Sequence, residues 1–212
     1  MSEMKRLSDR NRAIQEMLTS GEGLKTFYRF VANNPHIALH DACQIVIERP
    51  SASICFSFEE WNAQGRRVTK GRKGIPYYDN DGSKHFVFDV SDTHGDNRYR
   101  RSITPVKKIL DGLDLVNGTE IAGSNRGDYR IMLSGVVNYL GQNEFFTEDE
   151  DRNRLIAEGV TYLLYSTTGF PKGRGITLKG YPYGLSENAD LFREILKTTE
   201  VLQQDVNDAV LN

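Results

Sequence analysis

The sequence predicts an α+β fold, with amino-terminal helices and a small antiparallel sheet followed by a mainly helical carboxy-terminal region. Three observations predict it: apolar residues recur at helical spacing before residue 50 and after residue 128, β-prone runs are confined to 53–90, and an Asn-Asp-Gly turn lies among them. The 212 residues, 38% of them hydrophobic, can bury one sizeable core or two modest ones. We expect a boundary within 112–128, dividing a domain 1–115 from a domain 116–212.

The first three elements are predicted to be helices because their apolar residues recur every three to four positions. They cover residues 7–18, 24–32 and 36–48. Pro35 and Pro50 follow the second and third helices and stop them, since the residue before a proline disfavours helical geometry.

The period then changes, and the next elements are a strand, a helical turn and a loop. Residues 53–58 are β-prone, and residues 59–62 form a turn of helix that carries Trp61, the only tryptophan. Residues 65–74 contain three glycines and almost no apolar side chain, which predicts a loop.

A β-hairpin is predicted directly after this loop. Residues 75–78 and 85–90 are its strands, and Asn80, Asp81 and Gly82 form the turn between them. The sequence therefore places a small antiparallel sheet in the first half of the chain.

The second half is predicted to be mainly helical. A short helix should end near Gly112, residues 129–139 are apolar, and Ser186 opens a last amphipathic helix. Residues 147–150 match a capping box, in which Thr147 and Glu150 would satisfy the first backbone amides of a helix that runs to about Thr168.

Composition excludes several classes of protein. The net charge is −2, so only an uneven distribution of charge can indicate nucleic-acid binding. Cys43 and Cys55 have no metal-like spacing, which is typical of a reduced intracellular protein with free thiols. Neither a signal sequence nor an apolar run long enough to span a membrane is present, so we expect a soluble cytoplasmic protein with no membrane partner.

The cations are distributed unevenly, in two short acid-free runs that hold ten of the 27 lysines and arginines. Glycine-rich basic loops bring backbone amides and positive charge close to phosphates, and the release of counterions then favours binding of nucleic acid. The first run contains Arg66, Arg67, Lys70, Arg72 and Lys73, and the second contains Arg98, Arg100, Arg101, Lys107 and Lys108.

Aromatic residues accompany both basic runs, and unpaired bases stack on such rings. Trp61 precedes the first run, Tyr77, Tyr78, Phe86 and Phe88 follow it, and Tyr99 lies in the second. The alternative is that Trp61, Phe86 and Phe88 anchor the sheet and that one tyrosine of Tyr77 and Tyr78 points inward. The predicted DNA-binding residues are Trp61, Arg66, Arg67, Lys70, Arg72, Lys73, Tyr77, Arg98, Tyr99, Arg100 and Arg101.

Several of these stretches, in order, resemble the amino-terminal domain of the ArdC antirestriction family. They are Phe27-Tyr-Arg-Phe before an Asn-Asn turn, a helix with Gln44 that ends in Glu48-Arg-Pro50, Phe58-x-x-Trp61-x-x-x-Gly65-Arg-x-Val68-x-Lys70-Gly71-x-Lys73-Gly74-Ile75, and Phe86-Val-Phe-Asp-Val-Ser-Asp-Thr93.

The resemblance covers about residues 8–95. It implies a single-stranded-DNA-binding domain of conjugative plasmids, phages and related mobile elements, either alone or at the front of a larger protein. At the matching positions, it implies that Trp61, Arg66, Lys70 and Lys73 face DNA.

The second half departs from this family, whose members often continue into a zinc peptidase-like domain with an H-E-x-x-H helix. The four histidines are His36, His40, His85 and His94, all in the first half. Residues 155–162 and the helix that ends near Val206 only weakly resemble the tail of that domain. We interpret this part as a degenerate relict, in which Glu158 is a structural helix residue and not a metal ligand.

Other sites are less favoured by the residue types and spacing. His36 and His40 lie one helical turn apart and would need a third ligand, such as Asp41, to bind zinc. The glycines of 65–74 match no nucleotide-binding motif. A divalent ion for nuclease chemistry would need the acids Glu144, Glu148, Asp149, Glu150 and Asp151, but most of them are explained by a helix start.

The sequence therefore predicts a non-catalytic single-stranded-DNA-binding protein of a mobile element, with an antirestriction role and with no cofactor, metal or enzyme activity. One alternative is an anti-defence protein that binds a host protein through the acids of 144–151. Another is the front module of a larger DNA-processing enzyme.

Overall fold

The computed structural model describes residues 3–79, 81–95, 104–118, 128–168 and 176–211. The chain divides into two compact units, Met1–Arg101 and Ser102–Asn212, each described by itself below. Unit 1 contains, in chain order, α1 Glu3–Thr19, α2 Gly21–Asn33, α3 Leu39–Glu48, β1 Cys55–Phe56, α4 Phe58–Ala63, β2 Arg67–Val68, β3 Ile75–Tyr78, β4 Lys84–Asp89, a turn of 3-10 helix Val90–Asp92, and β5 Thr93–His94.

The α+β fold class and the three amino-terminal helices are confirmed. α2 begins three residues earlier than predicted because the Ser20 hydroxyl accepts a hydrogen bond from the Gly23 amide (3.3 Å) and caps the helix. α3 begins at Leu39, later than predicted, since the Ile37 amide is used in a turn to the Asn34 carbonyl (3.0 Å).

Asn34, at the end of α2, ties the helices to the sheet. Its buried amide nitrogen donates to the carbonyls of Phe30 and Ser53 (2.8 Å each), and its side-chain oxygen accepts from the Cys55 amide (2.7 Å). One side chain thereby bonds three backbone groups at the entry to β1.

The predicted hairpin is confirmed, and its strands form an antiparallel sheet in the order β1-β4-β3. Ile75 lies opposite Val87, and Pro76 lies opposite Phe86. Because side chains alternate along a strand, Ile75 and Val87 share one face and Pro76 and Phe86 share the other. Ile75 and Val87 are buried, and α3 packs against β3.

Gln44 protects the free edge of β3. Its side-chain nitrogen donates to the Tyr78 carbonyl (2.8 Å), and its oxygen accepts from the Tyr78 amide (3.0 Å). Pro76 carries no amide hydrogen. The edge of β3 therefore has fewer free backbone groups with which another strand could pair.

α4 confirms the predicted helical turn. The Ser57 hydroxyl accepts from the Glu60 amide (3.1 Å), and the Glu60 carboxylate accepts from the Ser57 amide (2.8 Å), which completes a capping box. The box fixes the start of α4, one turn before the buried Trp61.

Unit 2 consists, in its described part, of four helices, and each packs against two of the others. The chain divides at 101/102 and not at 115/116 as predicted, because the first of these helices packs on the second and the fourth. The helices are α5 Val106–Asn117, α6 Asp128–Gln142, α7 Glu150–Ser166 and α8 Leu185–Leu211. None of the helices that the structure describes is sufficiently long and apolar to cross a membrane.

The predicted capping box of α7 was wrong. Asp149 is the N-cap, and its side chain accepts from the Arg152 amide (2.9 Å). The side chain of Thr147 is instead engaged with Asn153, whose amide oxygen accepts from the Thr147 amide (2.9 Å). A short acid at the N-cap competes with the hydroxyl two residues earlier, and here the acid caps the helix.

Gly112 does not end α5, contrary to prediction. Gly118 is the glycine that ends the helix, in a left-handed conformation with φ 64°. Gly112 instead lies inside α5, where it faces α8. A Cβ atom at this position would be 2.5 Å from Cγ1 of Val206 and 3.0 Å from the Val206 carbonyl oxygen. The glycine allows α8 to approach the backbone of α5.

We expect Gly112→Ala to destabilise unit 2. Alanine gains about 1 kcal/mol in helix propensity, but overpacking against rigid backbone typically costs about 1–3 kcal/mol, so the net free energy of unfolding should fall. Gly141→Ala in α6 is the matched control, because its Cβ would meet only the Phe146 ring at 3.9 Å. Urea denaturation of both variants checks this. If Gly112→Ala is as stable as Gly141→Ala, Gly112 does not have this packing role.

Candidate nucleic-acid interface

The basic segment of unit 1 is a short ladder and a tight turn, not the open loop that the sequence predicts. β2 pairs with β5, with Arg67 opposite His94 and Val68 opposite Thr93. The prediction missed these strands for two reasons. Each strand has only two residues, and residues 67–68 pair with residues 93–94, which are distant in the chain.

Residues 69–72 form the turn that follows β2. The Arg72 amide donates to the Thr69 carbonyl (3.1 Å), and Gly71, the third residue, has φ 86°. A positive φ at that position is what a type II turn requires, which is why glycine is needed there. Lys70 therefore stands at the tip of a defined turn.

The turn is anchored by Asp92, a buried acid whose side chain is 5% exposed. The Asp92 carbonyl accepts from the Thr69 amide (2.8 Å). Its carboxylate accepts a close hydrogen bond from Arg49 Nη1 and lies 3.9 Å from Arg72 Nη1. Arg49 Nη2 also donates to the Lys73 carbonyl (3.1 Å), so both ends of the turn are tied to the end of α3.

Arg49 is a residue of this interface that the sequence analysis did not select. It lies outside both basic runs, directly after α3, where an arginine is usually read as a partner for the last carbonyls of a helix. No local signal distinguishes the two roles, because its acid partner is 43 positions further along the chain.

Arg66 does not face the solvent, which corrects the prediction that it contacts DNA. It is buried, its Nε donates to the Thr93 hydroxyl (2.9 Å), and its Nη2 donates to the Thr93 carbonyl (3.2 Å). Its guanidinium also lies 5.8 Å from the centre of the Trp61 ring. Arg66 thus joins β2, β5 and α4.

Trp61 is likewise not available to a ligand, so its prediction as a DNA-facing residue was wrong. Its side chain is 0% exposed, and its indole nitrogen donates to the Phe88 carbonyl (2.8 Å). The Phe56 ring meets it edge-on at 4.9 Å. The alternative interpretation, that Trp61 anchors the sheet, describes its position.

The remaining cations of the segment do face the solvent. Arg67, Lys70 and Lys73 are exposed, and within the described ranges none of them forms an ion pair with an acid. Arg72 is 57% exposed despite its contact with Asp92. The turn therefore presents a cluster of positive charge that its single buried acid only partly balances. We call residues 67–73 the basic turn.

A groove of about 510 Å³ opens beside the basic turn. It joins the carboxy-terminal end of α3 to the hairpin. Its lining combines two cations and one acid with apolar and aromatic side chains: Glu48, Arg49, Lys73, Gly74, Ile75, Pro76 and Phe86.

Phe86 is the exposed aromatic residue of this groove, at 47% exposure. Gly74 lies against it, since a Cβ atom at Gly74 would be 3.0 Å from Cβ of Phe86 and 3.2 Å from Cζ of Phe88. The Lys84 ammonium lies 5.0 Å from the centre of the Phe86 ring and 6.0 Å from that of Tyr78. Lys84, Phe86 and Tyr78 share the face of the sheet opposite Ile75 and Val87.

Tyr77 is half-buried and lies on the other face of the sheet from Phe86. Its ring stacks on His85 at 5.3 Å. His85 in turn hydrogen-bonds the Asp79 carboxylate (2.8 Å), which holds the pKa of Asp79 below its ordinary value. The DNA-binding role of Tyr77 stays a prediction, while Arg98, Tyr99, Arg100 and Arg101 lie outside the described residues.

His36 and His40 form contacts within unit 1, and Cys43 and Cys55 are buried there. His36 Nε2 is 3.0 Å from the Cys55 carbonyl, and its ring stacks on Phe56 at 4.4 Å. His40 contacts Asp41 and Gln44. Burial raises the pKa of each thiol to about 12, so both stay protonated at neutral pH. In the described part of the chain, no three His, Cys, Asp or Glu residues are placed to hold a metal ion.

The acids Glu144, Glu148, Asp149, Glu150 and Asp151 are all exposed. Asp149 caps α7, and Asp151 pairs with Arg154 (2.8 Å). Glu158 is half-buried in α7, and burial raises the pKa of its carboxyl. Asp149 and Asp151 thus belong to the start of α7, and Glu158 belongs to its interior.

No family model matches the chain, and neither does any curated protein or solved structure.

Asp89, at the end of β4, holds the sheet that carries Phe86. Its carboxylate accepts from the amides of Ser53 (2.6 Å), Ile54 (3.2 Å) and Ser91 (2.9 Å) and from the Ser53 hydroxyl (3.0 Å). Burial opposes ionisation, but the hydrogen bonds from Ser91 and Ser53 outweigh it and hold the pKa of Asp89 below its ordinary 3.8.

We expect Asp89→Asn to lower the free energy of unfolding by about 1–3 kcal/mol at neutral pH, because an amide cannot accept all these bonds and leaves buried amides unsatisfied. The folded pKa lies below the unfolded one, so the stabilisation is complete above pH 3.8 and is lost as the pH falls through the folded pKa. Urea denaturation at several pH values should show the two proteins converging in acid. A constant difference down to the lowest pH would refute this account of Asp89.

Proposed function

We propose that this protein binds single-stranded DNA through the basic turn and acts without catalysis. The observation that carries the proposal is the cluster of exposed cations, Arg67, Lys70 and Lys73, which pair with no acid among the described residues and lie on a turn that Asp92 holds in place. Binding of phosphates by such side chains releases condensed counterions, which is the main source of sequence-independent affinity.

The fixed geometry of the basic turn adds to this. The β2–β5 ladder, the Thr69–Arg72 hydrogen bond and the two contacts of Arg49 restrain the backbone that carries the cations. A ligand that binds a preformed surface loses less conformational entropy than one that must order a flexible loop. The turn is thus suited to repeated, weakly sequence-dependent contacts along a phosphate chain.

Two features support a single strand as the ligand. The groove beside the basic turn includes an exposed aromatic ring, and only unpaired bases offer their faces to such rings. The motif residues of 27–93 resemble the single-stranded-DNA-binding domain of the ArdC family, which also supports a role on a mobile element and in antirestriction.

The test reverses the charge of the three exposed cations. Arg67→Glu/Lys70→Glu/Lys73→Glu should weaken single-strand binding strongly and make its salt dependence shallower. Each phosphate contact contributes about −0.7 to the slope of log K against log salt, so the loss of three should change the slope by about 2. Fluorescence anisotropy of a labelled oligothymidylate, titrated across a salt series, measures both quantities.

The matched control carries the same change in net charge on unit 2. Arg130, Lys179 and Lys197 are exposed and lie outside the basic segments. Arg130→Glu/Lys179→Glu/Lys197→Glu should retain most of the affinity. If the two triple variants bind equally, the basic turn is not the site, and if the unaltered protein binds no single strand at low salt, the proposed function is wrong.

A further inference from the structure

We propose that Phe86 is a stacking platform for one unpaired base of the strand whose phosphates lie on the basic turn. This inference rests on the proposed function and assigns a base-binding subsite within it. It also separates the residue that recognises an unpaired base from the residues that attract the phosphates.

Phe86 has the position that such a platform needs. Its neighbour Val87 is buried and anchors β4 in the core, so the backbone that carries Phe86 is fixed. Across the strands, Phe86 lies opposite Pro76, and both residues line the groove. Gly74 permits this placement, because any larger residue there would meet Cβ of Phe86 at 3.0 Å.

The ring and the phosphate-binding groups border the same groove. Lys73 belongs both to the basic turn and to the groove lining, and Arg49 lies beside it with its guanidinium held by Asp92. A nucleotide whose phosphate contacts Lys73 can place its base in the groove that Phe86 lines. Glu48, the acid of the lining, favours a base over a second phosphate at the groove itself.

The Lys84 ammonium lies over the ring, 5.0 Å from its centre. An exposed cation–π contact corresponds to about a two- to fivefold preference. A base stacked on an aromatic side chain contributes about 5- to 150-fold in affinity. The base therefore displaces the ammonium group, which can then pair with a phosphate.

Other aromatic residues of unit 1 are less suited. Trp61 is buried, and Tyr77 already stacks on His85 on the opposite face of the sheet. Phe58, on α4, is as exposed as Phe86, at 49%, but does not line the groove. Phe58 is thus a matched control for the loss of an exposed phenyl ring.

The experiment compares Phe86→Ala and Phe86→Leu with Phe58→Ala in anisotropy titrations of single-stranded and duplex DNA. Both Phe86 variants should bind oligothymidylate about 5- to 150-fold more weakly, with an unchanged salt slope because no phosphate contact is lost. Phe86→Trp should retain the affinity. The unaltered protein should also prefer oligothymidylate to the same strand with abasic sites, and Phe86→Ala should lose that preference.

Each outcome distinguishes the subsite from the proposed function. If the Phe86 variants bind like Phe58→Ala while the charge reversal on the basic turn abolishes binding, the stacking platform is wrong and the proposed function stands. If Phe86→Leu retains the affinity of the unaltered protein, apolar contact and not stacking is responsible, and the inference is overturned. Thermal denaturation of each variant confirms that the half-exposed substitutions leave the fold intact.

Discussion

The basic turn depends on one buried carboxylate. Asp92 is almost fully buried, and a buried charge is tolerated only where it is paired and hydrogen-bonded. It meets that requirement by contacting Arg49 and Arg72, while its backbone carbonyl holds Thr69. The acid thereby draws together the end of α3, the basic turn and the ladder of β2 and β5. The exposed cations of the basic turn are thus carried by a backbone that a buried negative charge holds in place.

The arginines of this region therefore divide between two tasks. Arg66 and Arg49 use the planar guanidinium to make several hydrogen bonds to protein groups, which is a use for which lysine is poorly suited. Lys70 and Lys73 stand on the solvent side of the same backbone. Flexible, strongly hydrated ammonium groups suit contacts that form and break along a phosphate chain.

The aromatic residues divide in a similar way. Trp61 and Phe56 fill the contact between α4 and the sheet, and Trp61 satisfies its polar nitrogen within the fold. Phe86 lies on the same face of the sheet as Phe88 and Phe56 but beyond the part that α4 covers, and so keeps about half of its surface in solvent. The capping box at Ser57 fixes the start of α4 and so places Trp61 against Phe56 and the Phe88 carbonyl.

The sequence by itself determined the α+β class, the helices of unit 1, the hairpin with its glycine turn and the presence of a basic, glycine-containing segment. These are local properties, because periodicity, proline stops and turn residues act within a few positions. Only the tertiary structure decided that Trp61 and Arg66 are buried, that Arg49 and Asp92 join the site, and that Gly112 lies at a helix contact. Each of these depends on a partner far along the chain, such as Thr93 for Arg66 or Val206 for Gly112, and a local pattern contains no information about which distant residue packing will bring into contact.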